Sequence, residues 1–472
     1  MPETPRGYRR GRERPQALVL GILLLSTPGC LWEADRENAP DPLPDIYLIV
    51  VDTLRADHLP TYGYDRDTAP ALDRFAKTAT VFEDVVAPSS WTLPSTASLL
   101  TGLYPATHGL SSVFRDGRRH AAMRPGVETL AMWLADAGYA TGAVVANPWV
   151  LNPRHGLRAG FESFLAPGGK APAVARAARA FVEKNHQRPV FLYLHYMDVH
   201  GPYQSATEAD RKALGPAGRG TGRVLTESER ASRPSYLGPP HSTLGEDIDD
   251  YDTGIRRWDN AFADLLAWIE SQPGRPEPLI VIVSDHGEEF LDHGGWNHGV
   301  TLFEEQLAVP WIMRVPGRPP ERLAEGPVSL VDVAPTLLGR LQIDVPEWVH
   351  GRDVLAQPTG GPIFSETQLT TPVAVRQSLA HGTEGRAARL SMRVGRTKVI
   401  REDGAPLCFD LAEDPLELRP SCADNPTLED SLAQMAAWER EARRLGGRFG
   451  AVQTFEADEE QTERLRALGY VE

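Results

Sequence analysis

Ile46-Tyr47-Leu48-Ile49-Val50-Val51-Asp52-Thr53 is the stretch on which the fold turns. An unbroken apolar run reads as a strand buried on both faces, the pattern of a parallel sheet. It ends in a carboxylate, and open α/β sheets place ligands at the carboxyl ends of their strands. In isolation the default reading of Asp52 is the solvated residue of a turn. Working outward, Thr141–Ala146, Val190–His195 and Leu279–Val283 repeat the strand pattern, and Val81–Val86 is a shorter one. Helical stretches fall between them. Thr68–Ala76 has Pro70 in its first turn, Val127–Ala137 is ended by Gly138, and Pro172–Lys184 follows. Ile255, Trp258, Phe262, Leu265 and Ile269 recur at helical spacing and read as core. This alternation predicts an α/β fold with a doubly wound, mostly parallel sheet flanked by helices.

The strand ends carry the chemistry. Leu279–Val283 delivers Ser284-Asp285-His286-Gly287-Glu288-Glu289. Adjacent Asp285 and His286 suit a metal, and Gly287 allows a tight turn. His298 lies twelve residues beyond His286 in a Gly-rich loop that can fold back over the same site. Val190–His195 runs into Tyr196-Met197-Asp198-Val199-His200-Gly201-Pro202-Tyr203, which sets His200 in a turn; a surface histidine is the plain alternative. In Trp91-Thr92-Leu93-Pro94-Ser95-Thr96-Ala97-Ser98-Leu99-Leu100-Thr101-Gly102, Pro94 suits a first turn and Gly102 a left-handed end. Thr92 is then expected just before the helix, where free N–H groups favour an anion. It reads as a nucleophile, with a simple N-cap as the alternative. Residues 204–246, rich in Gly, Pro, Ser and charge, read as a long loop over the site.

The chain has 472 residues, 41% hydrophobic and 24% charged, enough for a large core. A net charge of −15 argues against a nucleic-acid partner. The N-terminus differs from the rest. Arg6, Arg9, Arg10, Arg12 and Arg14 precede the apolar run Ala17–Leu25 and the small residues Ser26-Thr27-Pro28-Gly29-Cys30. This is the layout of an export signal, too short to span a bilayer. Gly29-Cys30 resembles a bacterial lipoprotein cleavage site, although Thr27 stands where Leu is usual. Lipidation of Cys30 would hold the protein to a membrane of the cell envelope; a plain signal peptide or an uncleaved anchor are the alternatives, and Arg9-Arg10 permits a twin-arginine reading. Residues 1–30 are thus the leader, and 31–44, with Pro40, Pro42 and Pro44, a tether. Cys408 and Cys422 form a disulfide if the chain is exported, or stay as two buried thiols.

Taken together, IYLIVVDTLRADHL (46–59), WTLPSTASLLTGLYPATHG (91–109), FLYLHYMDVHGPY (191–203), VIVSDHGEEFLDHGGWNHG (281–299) and VSLVDVAPTLLG (328–339) resemble the sulfatase branch of the alkaline phosphatase superfamily. The resemblance implies an alkaline phosphatase-like catalytic domain over 45–355 and a smaller C-terminal α+β subdomain and tail over 356–472. In the latter, Ser391–Arg401 and Cys408–Leu411 read as antiparallel strands, and Glu456–Glu472 as a helix with Leu465 and Leu468 as contacts. It implies hydrolysis or transfer of a sulfate or phosphate ester. Asp52, Thr92, Asp285 and His286 would surround one divalent metal, with His200 on the substrate side. An imidazole ligand favours Zn²⁺ or Mn²⁺, with Ca²⁺ or Mg²⁺ still open. His200 or His298 would protonate the leaving group, and the same pair could hold a second metal.

The departures from the family pattern are informative. Sulfatases carry Cys or Ser, converted to formylglycine, where Thr92 stands, and Arg where Thr96 stands. Thr53 replaces an acidic ligand. Ala146-Asn147-Pro148-Trp149 replaces a Lys-x-His motif, and His298-Gly299 a loop Lys. Threonine cannot become the aldehyde. The pattern is nearer the threonine-using phosphoester hydrolases and transferases of the superfamily, so a phosphoester is favoured over a sulfate ester; the substrate itself stays open, with lipid and glycan esters among the candidates. A sulfatase without formylglycine and a catalytically silent surface binding protein are the rivals.

Overall fold

The computed structural model describes residues 42–110, 119–215, 222–238, 240–368, 388–401, 405–422 and 427–467. The leader, Cys30, most of the tether and Leu468 lie outside them. No helix among the described residues is long and apolar enough to cross a membrane.

Eight strands form the central sheet. In chain order they are β1 (Ile46–Val51), β2 (Thr80–Phe82), β3 (Ala140–Val145), β4 (Ser163–Leu165), β5 (Val190–Tyr196), β6 (Leu279–Val283), β7 (Trp311–Arg314) and β8 (Glu321–Leu323). Their order across the sheet is β8-β2-β7-β6-β1-β5-β3-β4. All pairings are parallel except those of β7, which runs antiparallel to both β6 and β2. All six residues of β1 are buried, as its continuous apolar run requires. Alternation along the strand splits them between two cores. Ile46, Leu48 and Val50 join Leu99 and Leu100 of helix α2 (Thr92–Thr101), while Tyr47, Ile49 and Val51 face the layer that holds α1 (Pro70–Ala76), α4 (Ala171–Lys184) and α5 (Leu244–Glu270). Helix α3 (Leu130–Asp136) lies on the α2 side, capped by Thr129. Ile255, Trp258, Phe262, Leu265 and Ile269 all lie buried along α5.

β1 therefore has β5 on one flank and β6 on the other, so the chain leaves it in opposite directions. The crevice outside the carboxyl ends of β5, β1 and β6 is the topological switch point of this sheet.

A four-stranded antiparallel sheet follows, formed by β9 (Ile363–Gln368), β10 (Ala388–Val394), β11 (Thr397–Arg401) and β12 (Leu407–Asp410) in that order. Helix α6 (Leu428–Arg448) packs Met435 against its core of Phe364, Leu390, Met392 and Val399, which Tyr104 and Val331 of the large layer also enter. Cys408 and Cys422 are joined by a disulfide.

Several sequence boundaries need correction. Ser391–Arg401 is a hairpin rather than one strand, because Gly395 takes φ +56° and reverses the chain. Val81–Val86 breaks at Glu83-Asp84, so that Val85–Val86 pairs with Val328–Ser329 instead of the main sheet. Residues 204–246 contain the short helices Glu208–Leu214 and Glu227–Ser232, each opened by a threonine capping box, and α5 already starts at Leu244. The tail helix spans Glu459–Ala467, with Glu456 in the strand Gln453–Glu456 before it; the side chains of Leu465 and Leu468 lie outside the described residues.

Candidate active site

Asp52 follows β1, Asp285 and His286 follow β6, and His195 is the penultimate residue of β5. The parallel register sets His195 beside Val50, so three strand ends deliver ligands to one point. His195 Nε2 lies 3.5 Å from Asp52 Oδ2, and His286 Nε2 lies 3.6 Å from both Asp52 Oδ1 and Asp285 Oδ2. Asp52, His195 and Asp285 each offer a ligand atom within 4.8 Å of the others.

All of these side chains are fully buried. Both oxygens of Asp52, Oδ2 of Asp285 and both nitrogens of His195 have no hydrogen-bond partner among the described residues. Burial, with Asp285 and Glu288 beside it, pushes the Asp52 carboxyl well above the usual carboxylate range. Burial lowers His195 to about 4, leaving a neutral imidazole. Two buried carboxyl groups beside the neutral His195 ring are costly to ionise unless a cation joins them. The donor set fits a divalent metal.

His195 is the residue missed in the sequence, where it read only as the last position of a strand. A signal was present. Phe191, Tyr193 and His195 alternate onto one face, and an imidazole at the carboxyl end of a buried strand has the same claim to a ligand as Asp52 does.

Thr53, in the place of an acidic ligand, contributes its backbone instead. It takes φ +60°, rare for a β-branched residue, and its N–H donates to Asp285 Oδ1 at 3.3 Å. Tyr251 Oη holds this turn, donating to the Thr53 carbonyl at 2.7 Å and accepting from Arg55 N–H at 2.9 Å. Strain of this kind persists where the surroundings over-determine it, and it marks functional sites.

Thr92 opens α2 rather than preceding it. Trp91, extended at φ −137° and ψ 138°, occupies the cap position and makes no side-chain cap bond. Pro94 is the third helical residue, where a missing N–H is still free of cost. The simple N-cap role is thereby removed: Thr92 Oγ1 points at His286 Nε2, 3.0 Å away. That distance also suits two ligands of one cation, each bound at about 2.1 Å. Ser95, one helical turn on, donates to the Asp285 carbonyl at 2.6 Å and ties α2 to the end of β6. Gly102 ends the helix at φ +67°, as expected.

His200 and His298 join the same cavity. Their ring centroids are 5.1 Å apart, and His298 lies 4.4 Å from His286. Burial, then the neighbouring His298, lowers His200 to about 3; burial also holds His298 well below the ordinary histidine range. Glu288, not singled out in the sequence, accepts from Tyr203 Oη at 2.9 Å and meets His298 Nδ1 at 3.0 Å. All the residues singled out from the sequence therefore meet at the switch point, with His195, Glu288 and Tyr203 added.

The sulfatase family model matches residues 44–343. The ulvan-active sulfatase of Formosa agariphila is 24% identical over 450 residues, covering 86% of this chain and 82% of that one. The low-salt glycan biosynthesis sulfotransferase Agl7 of Haloferax volcanii is 24% identical over 459 residues, covering 90% and 96%. In fold, the phosphonate monoester hydrolase of Agrobacterium radiobacter superposes with a TM-score of 0.65 at 21% identity, over 85% of this chain and 96% of that one.

Proposed function

Because the chain belongs to the sulfatase family, an ester hydrolase family, we propose that it cleaves or transfers a phosphoester group through a covalent ester on Thr92. The observation that carries this reading is the Thr92 hydroxyl at the first turn of α2, 3.0 Å from His286 Nε2 and beside the buried Asp52 oxygens and Asp285 Oδ2, which have no hydrogen-bond partner among the described residues. Asp52, Asp285, His286 and His195 would hold a divalent cation, with Zn²⁺ or Mn²⁺ favoured by the imidazoles. Such a cation lowers the pKa of the neighbouring hydroxyl and takes up charge from the ester.

Thr92 passes its proton to a water molecule and its Oγ attacks phosphorus in line. A Thr92 Oγ–P bond forms as the bond to the leaving oxygen breaks. Water, or an acceptor hydroxyl in a transferase, then attacks the phosphothreonine at phosphorus and frees Thr92. His200 and His298 are poor acids for the leaving group. Each turns Nδ1 to an oxygen, Gly201 O or Glu288 Oε1, and so has no proton to give from Nε2. Water supplies that proton.

Phosphorus is favoured over sulfur because a sulfo-threonine lacks the elimination route that an aldehyde hydrate gives a sulfatase. Sulfuryl transfer is the second reading, supported by the similarity to a sulfotransferase along 90% of the chain. Export completes the proposal: the leader and Cys30 would place the enzyme at the cell envelope on a lipid anchor. The Cys408–Cys422 bridge supports an oxidising compartment.

The test is hydrolysis of an aryl phosphodiester, an aryl phosphate and an aryl sulfate by the full chain in detergent, with Zn²⁺ or Mn²⁺ added. Phosphoester turnover is expected, with a loss of about 10³-fold or more in Thr92→Ala at unchanged metal content. Turnover of the sulfate alone would overturn the phosphoester assignment. Incorporation of labelled palmitate, abolished in Cys30→Ala, is the expected result for the anchor.

A further inference from the structure

We propose that Tyr193, backed by Thr96, is a positioning residue that holds the cation-binding carboxylate of Asp285 through its Oδ2. The inference rests on the reading above only in assigning Asp285 to a divalent cation.

Two rows of side chains meet beneath the crevice. On α2, Thr92, Thr96, Leu99 and Leu100 recur at helical spacing, and the two leucines share one core with Leu48 and Val50 of β1. On β5, Tyr193 and His195 alternate onto that same face, in register with Leu48 and Val50. Their ring centroids lie 6.2 Å apart, with the planes at 29°. His195 is the outer position of its row and Tyr193 the inner one. Thr92 and Thr96 stand in the same relation, one helical turn apart.

Tyr193 and Thr96 are fully buried, and neither hydroxyl has a hydrogen-bond partner among the described residues. Buried polar groups are costly when left so. A cation at Asp52, His195 and Asp285 satisfies those three and leaves the two hydroxyls over. Burial, then the neighbouring Asp285 carboxyl, hold the phenol proton well above the ordinary tyrosine range, so Tyr193 is a donor. Asp285 Oδ1 already accepts the N–H of Thr53 at 3.3 Å and that of His286 at 3.0 Å, whereas Oδ2 accepts from no described residue. An ionised carboxylate oxygen has two lone pairs. Oδ2 can give one to the cation and receive Tyr193 Oη–H with the other, while Thr96 Oγ1–H donates to the phenol oxygen. An outer hydrogen bond of this kind orients a ligating carboxylate. A neutral donor does so without setting a second positive charge against the cation.

The experiment strips metal from the full chain in detergent and measures Zn²⁺ affinity by competition with a chromophoric chelator. Tyr193→Phe keeps the ring and removes the donor, and affinity is expected to fall about 10- to 100-fold. Thr96→Val should lower it less, and the double variant should match Tyr193→Phe alone, because Thr96 acts only through the phenol. Tyr47→Phe is the control. Tyr47 is buried and its hydroxyl is equally without a partner, but it lies at the amino end of β1, away from Asp52, so affinity should hold. Urea midpoints of the metal-free proteins should not fall, since the hydroxyls removed are unpaired there. Unchanged zinc affinity in Tyr193→Phe, or an equal loss in Tyr47→Phe, overturns the assignment. The expected loss of affinity together with no phosphoester turnover by the wild type would instead sink the phosphoester reading and leave Tyr193 in place.

Discussion

Thr92 and serine share a hydroxyl and differ by one methyl group, so Thr92→Ser separates nucleophile from packing. Activity should survive in Thr92→Ser and vanish in Thr92→Ala, read as kcat against the same phosphodiester; equal loss in both would assign Thr92 a packing role. His195 is the sharper test of the metal site, because no motif pointed to it. Its imidazole, 3.5 Å from Asp52 and without a hydrogen bond, has no evident structural task other than coordination. His195→Gln should weaken cation binding about 10- to 100-fold in a competition with chelator. An unchanged affinity would remove His195 from the ligand set.

At the scale of elements, the site depends on how closely three segments approach. The loop after β6 returns under Trp91 at Gly299, which takes φ +86°; a Cβ there would lie 1.9 Å from Trp91 Cε3. Thr367 of β9 donates to the Gly299 carbonyl at 2.8 Å, and Arg389 of β10 to that of Val300, so the C-terminal sheet pins the loop bearing His298. Gly299→Ala is therefore expected to displace His298 and cost about 1–3 kcal/mol from overpacking alone, read from urea unfolding. Helix α5 acts as the opposite wall. Trp258→Ala, which opens a cavity at a fully buried position, should cost about 3–5 kcal/mol yet leave metal stoichiometry unchanged in the folded fraction.

For the whole molecule, ion pairs reinforce the apolar joint between the two sheets. Lys398 of β11, 1% exposed, pairs with Glu304 at 2.7 Å and Glu417 at 2.8 Å, and Arg393 of β10 reaches Glu304 at 3.1 Å. Lys398→Met would leave Glu417 without its cation while Glu304 keeps Arg393, at a cost of about 3–5 kcal/mol read from urea unfolding. Beside it, His293 meets Glu305 at 3.0 Å and the Glu417 carbonyl at 3.2 Å. Burial alone would lower its pKa, but these partners overcome burial and raise it to about 9. A histidine raised above its unfolded value of about 6.5 stabilises the fold fully below that pH and loses its contribution as pH rises through 9. The urea midpoint should fall between pH 6.5 and 9.5, and less steeply in His293→Gln; an identical slope in the variant would assign the fall to other groups.

The strand runs at 46–51, 190–195 and 279–283 were legible because a strand buried on both faces must be apolar throughout, a property local to the chain. The residues at their ends were legible for the same reason: Asp52, Asp285 and His286 interrupt apolar runs where a parallel sheet opens to its ligand crevice. Thr92 was legible as a helix-start hydroxyl, although not its place inside the helix, since one residue of backbone conformation leaves no mark in composition. His195 was hidden because a histidine at the last turn of an apolar strand reads as part of the strand until β1 lies beside it. Glu288 and Tyr203, 85 residues apart, acquire meaning only through the contact that fixes His298. The chain by itself thus determined the sheet, its switch point and the chemical types gathered there, because burial pattern and residue type are local. Tertiary structure alone decided the ligand set, the tautomers and the joint to the second sheet, because each is a distance between segments that the order of residues does not contain.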